Sequence, residues 1–283
     1  MRSFDDITAL REALAVHRRS GKRIGLVPTM GNLHQGHLAL VEKARATSDV
    51  VVTSIFVNPL QFGPSEDLDN YPRTLEADKA KLQAAGCDIV FTPTPQSMYP
   101  HGMDNQTLVK VSEVSEGLCG GSRPGHFDGV STVVSMLFHI VQPDVACFGE
   151  KDYQQLAVIQ RMVRDLHLPI EVIGVPTVRE PSGLAMSSRN GYLSETERNT
   201  AAGLQRTLGE IRDALENGAS IEESLSQGIE SLRRQGFEPD YLELRAKDLS
   251  SVTENTREVI LLAAARLGST RLIDNLSLTL PRN

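Results

Sequence analysis

The sequence predicts an α/β protein with a parallel sheet in its first part, followed by a smaller α+β region. Over roughly the first 180 residues, β-branched apolar runs alternate with helical patterns, as a parallel sheet covered by helices on both faces requires. In the remainder, two helical patterns come first and three strand patterns follow. We therefore expect domains over residues 1–180 and 181–283, with a boundary at Pro181-Ser182-Gly183.

The first domain is expected to place ligands at one edge of its sheet. The predicted strands cover residues 23–27, 49–56, 88–92, 107–111, 145–148 and 171–177. The predicted helices cover residues 5–19, 37–47, 74–85, 128–141 and 153–167. Ligands of open parallel sheets bind beyond the carboxyl ends of the strands, so the polar segments that follow strands are the candidate sites.

The second domain begins with helices predicted over residues 194–216 and 221–235. Ser194 precedes Glu197 by three positions, which is the spacing of a helix capping box. Strands are then predicted over residues 241–245, 259–265 and 270–276. This order is typical of a separate α+β domain.

Composition excludes several classes of function. The 283 residues are 40% hydrophobic and 23% charged, as in ordinary globular proteins, and the net charge of −7 disfavours a nucleic-acid partner. The longest apolar stretch, residues 133–141, is too short to span a membrane. Cys87, Cys119 and Cys147 lack metal-site spacing, which favours buried thiols and a cytoplasmic protein.

The segment Pro28-Thr29-Met30-Gly31-Asn32-Leu33-His34-Gln35-Gly36-His37 is the strongest candidate for a ligand site. It lies between a predicted strand and a predicted helix. The start of a helix presents free N–H groups and a positive dipole end, and therefore attracts anions. Two glycines permit close approach of the backbone, and two histidines can donate to phosphate oxygens. We expect a nucleotide site here rather than two exposed loop histidines.

Two further segments carry cations that suit phosphate. Gly149-Glu150-Lys151-Asp152 follows a predicted strand, and Gln155 lies one helical turn beyond Lys151, although a solvated turn has the same composition. Met186-Ser187-Ser188-Arg189 lies near the domain boundary between glycines. It suits a mobile phosphate clamp, and equally a polar linker.

The long loop over residues 57–73 suggests a pocket for a small organic acid. Loops of this length without regular structure are usually functional. Asn58 and Gln61 are neutral hydrogen-bonding residues among apolar neighbours, which fits a polar acid better than a phosphate. Arg123 in a glycine-rich loop can bind a carboxylate or a phosphate, whereas His126 is expected in a packing or loop role.

Six segments together resemble the pantoate–β-alanine ligase (pantothenate synthetase) family over essentially the whole chain. They are PTMGNLHQGH (28–37), SIFVNPLQF (54–62), YPRT (71–74), RPGHFDGVSTVV (123–134), FGEKDYQQL (148–156) and MSSRNGYL (186–193). The His-x-Gly-His element also resembles the HIGH-like signature of the nucleotidyltransferase superfamily. The resemblance implies a Rossmann-like first domain, a smaller C-terminal lid domain and a homodimer.

The resemblance also implies the reaction and its residues. Pantoate and β-alanine would be joined through a pantoyl-adenylate, with ATP cleaved to AMP and pyrophosphate in the presence of Mg²⁺. The implied catalytic residues are His37, His34, Lys151 and Arg189. The implied ATP-binding residues are Met30, Gly31, Asn32, Leu33, His34, Gln35, Gly36, His37, Gly149, Glu150, Lys151, Asp152, Val178, Met186, Ser187, Ser188 and Arg189. Gln61, Gln155 and Asn58 would bind the acid substrates.

The implied metal residue is Asp78, but Ala77 stands where some relatives carry a second acid. Two other functions remain open at this point. A nucleotidyltransferase that moves AMP onto a phosphate shares the His-x-Gly-His element, and an ATP-sensing module shares a nucleotide site. A tRNA synthetase is disfavoured by the net charge of −7. Product analysis and a turnover assay distinguish these alternatives.

Overall fold

The computed structural model describes residues 1–63 and 68–281. The chain divides into two compact units. Unit 1 comprises Met1–Glu150 and Val158–Pro176, and unit 2 comprises Lys151–Ala157 and Thr177–Asn283. Lys151 and Gln155 therefore belong to unit 2. The predicted domain boundary at residue 180 instead places both residues in the first domain. That boundary stays a prediction.

Unit 1 contains a six-stranded parallel sheet with the order β1-β4-β3-β2-β5-β6, as predicted for the fold class. Its strands are β1 (Arg2–Phe4), β2 (Ile24–Thr29), β3 (Val50–Ile55), β4 (Ile89–Phe91), β5 (Val145–Gly149) and β6 (Glu171–Val175). The short edge strand β1 was absent from the sequence prediction because three residues carry too little periodicity to be recognised.

The strand predicted over residues 107–111 is wrong. The backbone N–H of Val109 donates to Thr132 Oγ1 over 2.9 Å, and the Val109 carbonyl accepts from Ser131 Oγ. Side chains of a helix therefore take the bonds that a neighbouring strand would otherwise supply. The β-branched composition of this segment suits extended backbone whether or not a sheet is present.

Four helices of unit 1 begin and end close to the predicted residues, namely α1 (Ile7–Arg19), α2 (Gln35–Thr47), α3 (Leu75–Ala84) and α6 (His126–Val141). Two short helices, α4 (Pro95–Met98) and α5 (Leu118–Ser122), were not predicted. The next helix, α7 (Tyr153–Asp165), starts in unit 2 and continues in unit 1. Side chains of α2 pack with the sheet in a buried core that includes Val27, Val41, Val51 and Val90.

Unit 2 contains an antiparallel sheet of β7 (Glu238–Ala246), β8 (Glu258–Leu267) and β9 (Thr270–Thr279). Its helices are α8 (Glu195–Ala201), α9 (Gly203–Glu216) and α10 (Ile221–Arg234). The single helix predicted over 194–216 is interrupted at Ala202, where ψ is −18°, and Gly203 lies directly against Gln235. The predicted capping box of Ser194 and Glu197 is confirmed at the start of α8.

Two further observations concern the cysteines and membrane-spanning helices. Cys87, Cys119 and Cys147 are all buried, as expected, and none of the three forms a disulfide. Burial raises the pKa of the Cys147 thiol to about 11 and also raises the pKa of Cys87, so both thiols are protonated and unreactive near neutral pH. Within the described residues, no helix is long and apolar enough to cross a membrane.

Candidate functional site

The polar segments of unit 1 follow three neighbouring strands. Strand β2 pairs with β3 on one side and with β5 on the other, and Thr29 is in register with Ile55. From β2 the chain proceeds to β3 in one direction and later to β5 in the other, so the strand order reverses between β2 and β5. Such a topological switch point is where parallel sheets bind ligands.

The loop between β2 and α2 is held by a buried carboxylate. Asp78 of α3 is only 1% exposed. Its Oδ2 accepts from the Asn32 N–H over 2.9 Å and from Thr74 Oγ1 over 3.1 Å, and its Oδ1 accepts from the Leu33 N–H over 2.8 Å. Consecutive N–H groups that bind one carboxylate fix the course of the loop.

The same loop requires left-handed backbone. Gly31 has φ of 84° and Asn32 has φ of 49°, which glycine and asparagine tolerate better than other residues. Lys81, also on α3, donates from Nζ to the Leu33 carbonyl over 2.6 Å. One helix therefore holds both donors and acceptors of the loop, and the start of α2 is kept in place.

His34 and His37 form a capping box at the start of α2. His34 Nδ1 accepts from the Gly36 N–H over 3.1 Å, and His37 Nδ1 accepts from the His34 N–H over 3.3 Å. A nitrogen that accepts carries no proton, so each ring is neutral and bears its proton on Nε2. The ring centroids are 4.1 Å apart. The site thus presents two adjacent N–H donors at a positive helix end.

A 3₁₀ helix over Pro59–Gln61 follows β3 and presents the predicted acid-binding residues. Asn58 and Gln61 are 1% and 8% exposed, and Asn58 Nδ2 donates to Gln61 Oε1 over 3.1 Å. A Cβ atom on Gly129 of α6 would overlap the Leu60 carbonyl. The absence of a side chain at position 129 therefore lets this turn lie against α6.

The Gln61 backbone is held by the loop that precedes α6. Its carbonyl accepts from Arg123 Nη2 over 3.3 Å and lies 2.8 Å from His126 Nδ1. Arg123 Nη1 is 3.0 Å from His126 Nε2, and a guanidinium can only donate, so Nδ1 carries the proton of the neutral ring and donates to Gln61. His126 and Arg123 thus hold the Gln61 backbone by hydrogen bonds.

In unit 2, two of the predicted nucleotide residues lie on paired backbone. The Met186 N–H donates to the Val178 carbonyl over 2.9 Å, and Arg179 pairs with Ala185 in an antiparallel bridge. Ser187 then caps a 3₁₀ helix over Ser188–Tyr192 by accepting from the Arg189 N–H over 3.2 Å. The residues Val178, Met186 and Arg189 are therefore close neighbours.

Strand β9 connects this segment with Lys151. The Lys151 carbonyl accepts from Asn275 Nδ2 over 2.9 Å. The neighbouring residue Asp274 pairs with Arg179 through two bonds of 2.7 and 2.9 Å, and Arg179 follows Val178 in the chain. The strand thus anchors two predicted nucleotide-binding segments of unit 2 that are distant in sequence.

The structure brings the predicted residues together in two groups. Residues 30–37, Asn58, Gln61, Asp78, Gly149 and Glu150 lie in unit 1, and Lys151, Asp152, Gln155, Val178 and residues 186–189 lie in unit 2. Sequence reasoning missed Lys81, Tyr99, Arg179, Asp274 and Asn275 as supports. The adjacent Asp274 and Asn275 within an apolar strand were the one available signal among these five.

A parallel sheet whose switch point carries two histidine donors at a helix start defines an α/β enzyme that handles nucleotide phosphates. The chain belongs to the pantoate–β-alanine ligase family, whose family model matches residues 2–277. It is a ligase.

The relatives extend over the whole chain. It is 60% identical to the pantothenate synthetase of Chromohalobacter salexigens over 283 residues, which is 100% of both chains. It is 62% identical over 278 residues to the pantothenate synthetase of Stutzerimonas stutzeri, covering 98% of this chain and 97% of the relative.

Solved structures agree with this assignment. The pantothenate synthetase of Thermus thermophilus has a TM-score of 0.91 at 49% identity and covers 98% of this chain and 99% of its own. The pantoate–β-alanine ligase of Francisella tularensis, solved with a β,γ-ATP compound and β-alanine, has a TM-score of 0.81 at 33% identity. The match to the Francisella tularensis structure covers 98% of this chain and 97% of that chain.

Proposed function

We propose that this chain condenses (R)-pantoate with β-alanine to form pantothenate, and that ATP is cleaved to AMP and pyrophosphate through a pantoyl-adenylate. The family assignment supports the overall reaction. The observation that carries the ATP-dependent step is the pair of neutral histidines at the start of α2, whose Nδ1 atoms are occupied and whose Nε2 atoms bear the protons.

Adenylation solves a chemical problem of amide formation. A carboxylate is a poor acyl donor because its leaving group would be an oxide. When the pantoate carboxylate attacks the α-phosphorus of ATP, pyrophosphate leaves and an acyl phosphate anhydride with AMP forms. Attack of the β-alanine amine on that acyl carbon then expels AMP and forms the amide.

We assign the first step to His34, His37, Lys151 and Arg189, with His37 in the central catalytic role. Negative charge moves between phosphate oxygens as pyrophosphate departs, and preorganised N–H donors stabilise it. ATP as a whole would be bound by residues 30–37, 149–152, 178 and 186–189. Support comes from the backbone pairing of Val178 with Met186 and from the capped turn at Arg189.

The acid substrates are assigned to Gln61, Gln155 and Asn58. In the second step the amine must be close to the acyl carbon and unprotonated. Positioning the two reactants together can offset about 7–11 kcal/mol of the barrier, more than a general base usually supplies. Exclusion of water would also protect the anhydride from hydrolysis.

Mg²⁺ is the ion expected to accompany ATP, but Asp78 fits it poorly. Its Oδ2 already accepts two hydrogen bonds and its Oδ1 accepts one, in a side chain that is 1% exposed. The described residues contain no group of three or more His, Cys, Asp or Glu arranged for a metal. We therefore derive no step through Mg²⁺ and assign Asp78 to holding the loop.

Two properties of the whole protein belong to the same proposal. We propose a homodimer, on the resemblance to the family, to be checked by analytical ultracentrifugation. A cytoplasmic location is supported by three buried cysteines that form no disulfide, because such thiols suit a reducing compartment.

The test is pantoate-dependent exchange of labelled pyrophosphate into ATP in the absence of β-alanine. Exchange is expected because the first step is reversible and independent of the amine. Formation of ADP, or transfer of AMP to a phosphate acceptor, would contradict the proposal. Lys151→Ala is expected to lose exchange, whereas Lys22→Ala, at an exposed lysine, keeps it.

A further inference from the structure

We infer that the hydroxyl of Tyr99 is a positioning group that acts through Asn58 on Gln61, and that it helps to fix which end of the Gln61 amide faces the acid substrate. The inference rests on the proposed role of Gln61 in binding that substrate. It adds a residue outside the predicted site, and it specifies the hydrogen-bonding polarity of the acid pocket.

The three side chains form a directed chain of hydrogen bonds. The Tyr99 hydroxyl donates to Asn58 Oδ1 over 2.6 Å. Asn58 Nδ2 donates to Gln61 Oε1 over 3.1 Å. An amide oxygen only accepts and an amide nitrogen only donates, so the orientation of each group determines that of the next.

Backbone atoms, which cannot exchange roles, determine the direction of this chain. Asn58 Nδ2 also donates to the Gly129 carbonyl over 3.1 Å, and Asn58 Oδ1 accepts from the Leu60 N–H over 3.3 Å. If the Asn58 amide were turned round, its oxygen would face the Gly129 carbonyl and its NH₂ would face the Leu60 N–H. Neither pair could form a hydrogen bond. The Tyr99 hydroxyl must therefore donate, and Gln61 must present its oxygen to Asn58.

Burial makes this polarity costly to change. Tyr99, Asn58 and Gln61 are 2%, 1% and 8% exposed, so little water is present to replace a lost bond. Burial also raises the pKa of Tyr99, which keeps its hydroxyl protonated and able to donate at neutral pH. The Tyr99 ring lies 6.3 Å from the Phe56 ring, and this packing does not depend on the hydroxyl.

The consequence is that Gln61 offers its NH₂ group, rather than its carbonyl, at the end turned away from Asn58. Two N–H donors suit the carboxylate or hydroxyl oxygens of a hydroxy acid. They do not suit an ammonium group, which also only donates. The arrangement therefore favours an oxygen-bearing group of the substrate over an ammonium group at this position.

The experiment compares steady-state kinetics of Tyr99→Phe with the wild type. Loss of one hydrogen bond in the chain is expected to raise KM for pantoate about 3- to 10-fold. KM for ATP and for β-alanine should stay within twofold. Tyr241→Phe, which removes a hydroxyl from β7 of unit 2, is the matched control and should leave all three constants unchanged. A uniform loss of activity towards all substrates would overturn the inference.

A double-mutant cycle with Gln61→Ala tests whether Tyr99 acts through Gln61. Once the Gln61 amide is absent, Tyr99→Phe should raise KM for pantoate no further. An equal rise in both backgrounds would overturn the inference. Pantoate-dependent pyrophosphate exchange by the wild type is measured first, and its absence would instead contradict the proposed function.

Gln61→Glu provides a second test that does not disturb Tyr99. The variant keeps an oxygen for Asn58 Nδ2 but replaces the outward NH₂ with another acceptor oxygen. We expect its KM for pantoate to exceed that of Gln61→Ala, although the side chain has nearly the native shape. A KM equal to that of the wild type would show that the NH₂ end does not face the acid.

Discussion

The two units hold their functional residues by different forces. In unit 1, hydrogen bonds among buried and half-buried groups fix His34, His37 and Gln61. In unit 2, ion pairs anchor the segment that carries Arg189, and Asn275, next to the paired Asp274, holds the Lys151 carbonyl. Arg179 pairs with Asp274, and Glu180, which also accepts from Asn190 Nδ2, pairs with Arg198.

The supports in unit 1 orient particular side-chain atoms, whereas those in unit 2 hold the backbone in place. A short neutral side chain such as glutamine or histidine acts through one particular nitrogen, so its support must specify which atom faces the ligand. A lysine or arginine presents several equivalent donors on a long stem, so its support only has to place the backbone. Substitutions of the supporting groups should therefore lower binding or catalysis more in unit 1, and lower stability more in unit 2.

The largest expected effect is that of His37→Ala. Removal of one preorganised donor typically lowers kcat by about 10²–10³. The variant also loses the acceptor for the His34 N–H, but α2 keeps its buried face against the sheet, so the fold should remain. Rapid-quench measurement of adenylate formation checks the prediction.

The matched control for that variant is His101→Ala, at an exposed position, which should retain wild-type kcat. If circular dichroism instead showed that His37→Ala is unfolded, the histidine pair would be a structural cap. The contrast between the two units would then fail.

The second effect concerns stability in unit 2. Asp274→Ala leaves Arg179 without its carboxylate partner, and the Asp274 side chain is 3% exposed against 24% for Arg179. We expect the free energy of unfolding to fall by about 2–4 kcal/mol, somewhat below the range for fully buried pairs. Urea unfolding measures it.

Glu171→Gln is the comparison for that variant, since its pair with Arg23 has 53% and 60% exposed side chains. Its cost should be at most about 1 kcal/mol. Equal costs for the two substitutions would show that burial does not strengthen the Arg179–Asp274 anchor.

The third effect is that of Asp78→Asn in unit 1. The substitution replaces one accepting oxygen with an NH₂ group that faces a loop N–H, so two donors oppose each other. The free energy of unfolding should fall by about 1–3 kcal/mol. KM for ATP should rise because the loop of residues 30–34 is displaced. Glu76→Gln, at an 87% exposed side chain of the same helix, is the control.

The same variant distinguishes the two assignments of Asp78. The Mg²⁺ concentration that gives half-maximal velocity, measured at saturating ATP, should be the same as in the wild type. A large increase in that concentration with unchanged stability would make Asp78 a metal ligand and would contradict its assignment to the loop.

Much of the fold was predictable because it depends on local periodicity. Five of the six strands of the first sheet and the three strands of the second followed from apolar runs. The error at residues 107–111 arose where Ser131 and Thr132 of α6 take the backbone bonds. At the break between α8 and α9, Gly203 lies against Gln235, 32 positions away, and local sequence contains no signal for such contacts.

The candidate site was predictable to the extent that its residues have distinctive chemistry. Two histidines and two glycines between a strand and a helix indicate a phosphate site by residue type and spacing alone. The supports of Gln61 give no such signal. Tyr99 lies 41 positions from Asn58, and its hydroxyl is one of many that a sequence offers. Only the folded chain shows where that hydroxyl donates.

The pairing of β2 with β5 also bears on how the protein is made. Gly25 pairs with Val145, whereas β2 meets β3 only a few tens of positions along the chain. On the ribosome, one hydrogen-bonding edge of β2 stays open until more than a hundred further residues have been synthesised. An open strand edge is a template for wrong pairing. The junction between β2 and β5 is thus among the last parts of unit 1 to close, and a nascent chain is open to wrong pairing at that junction.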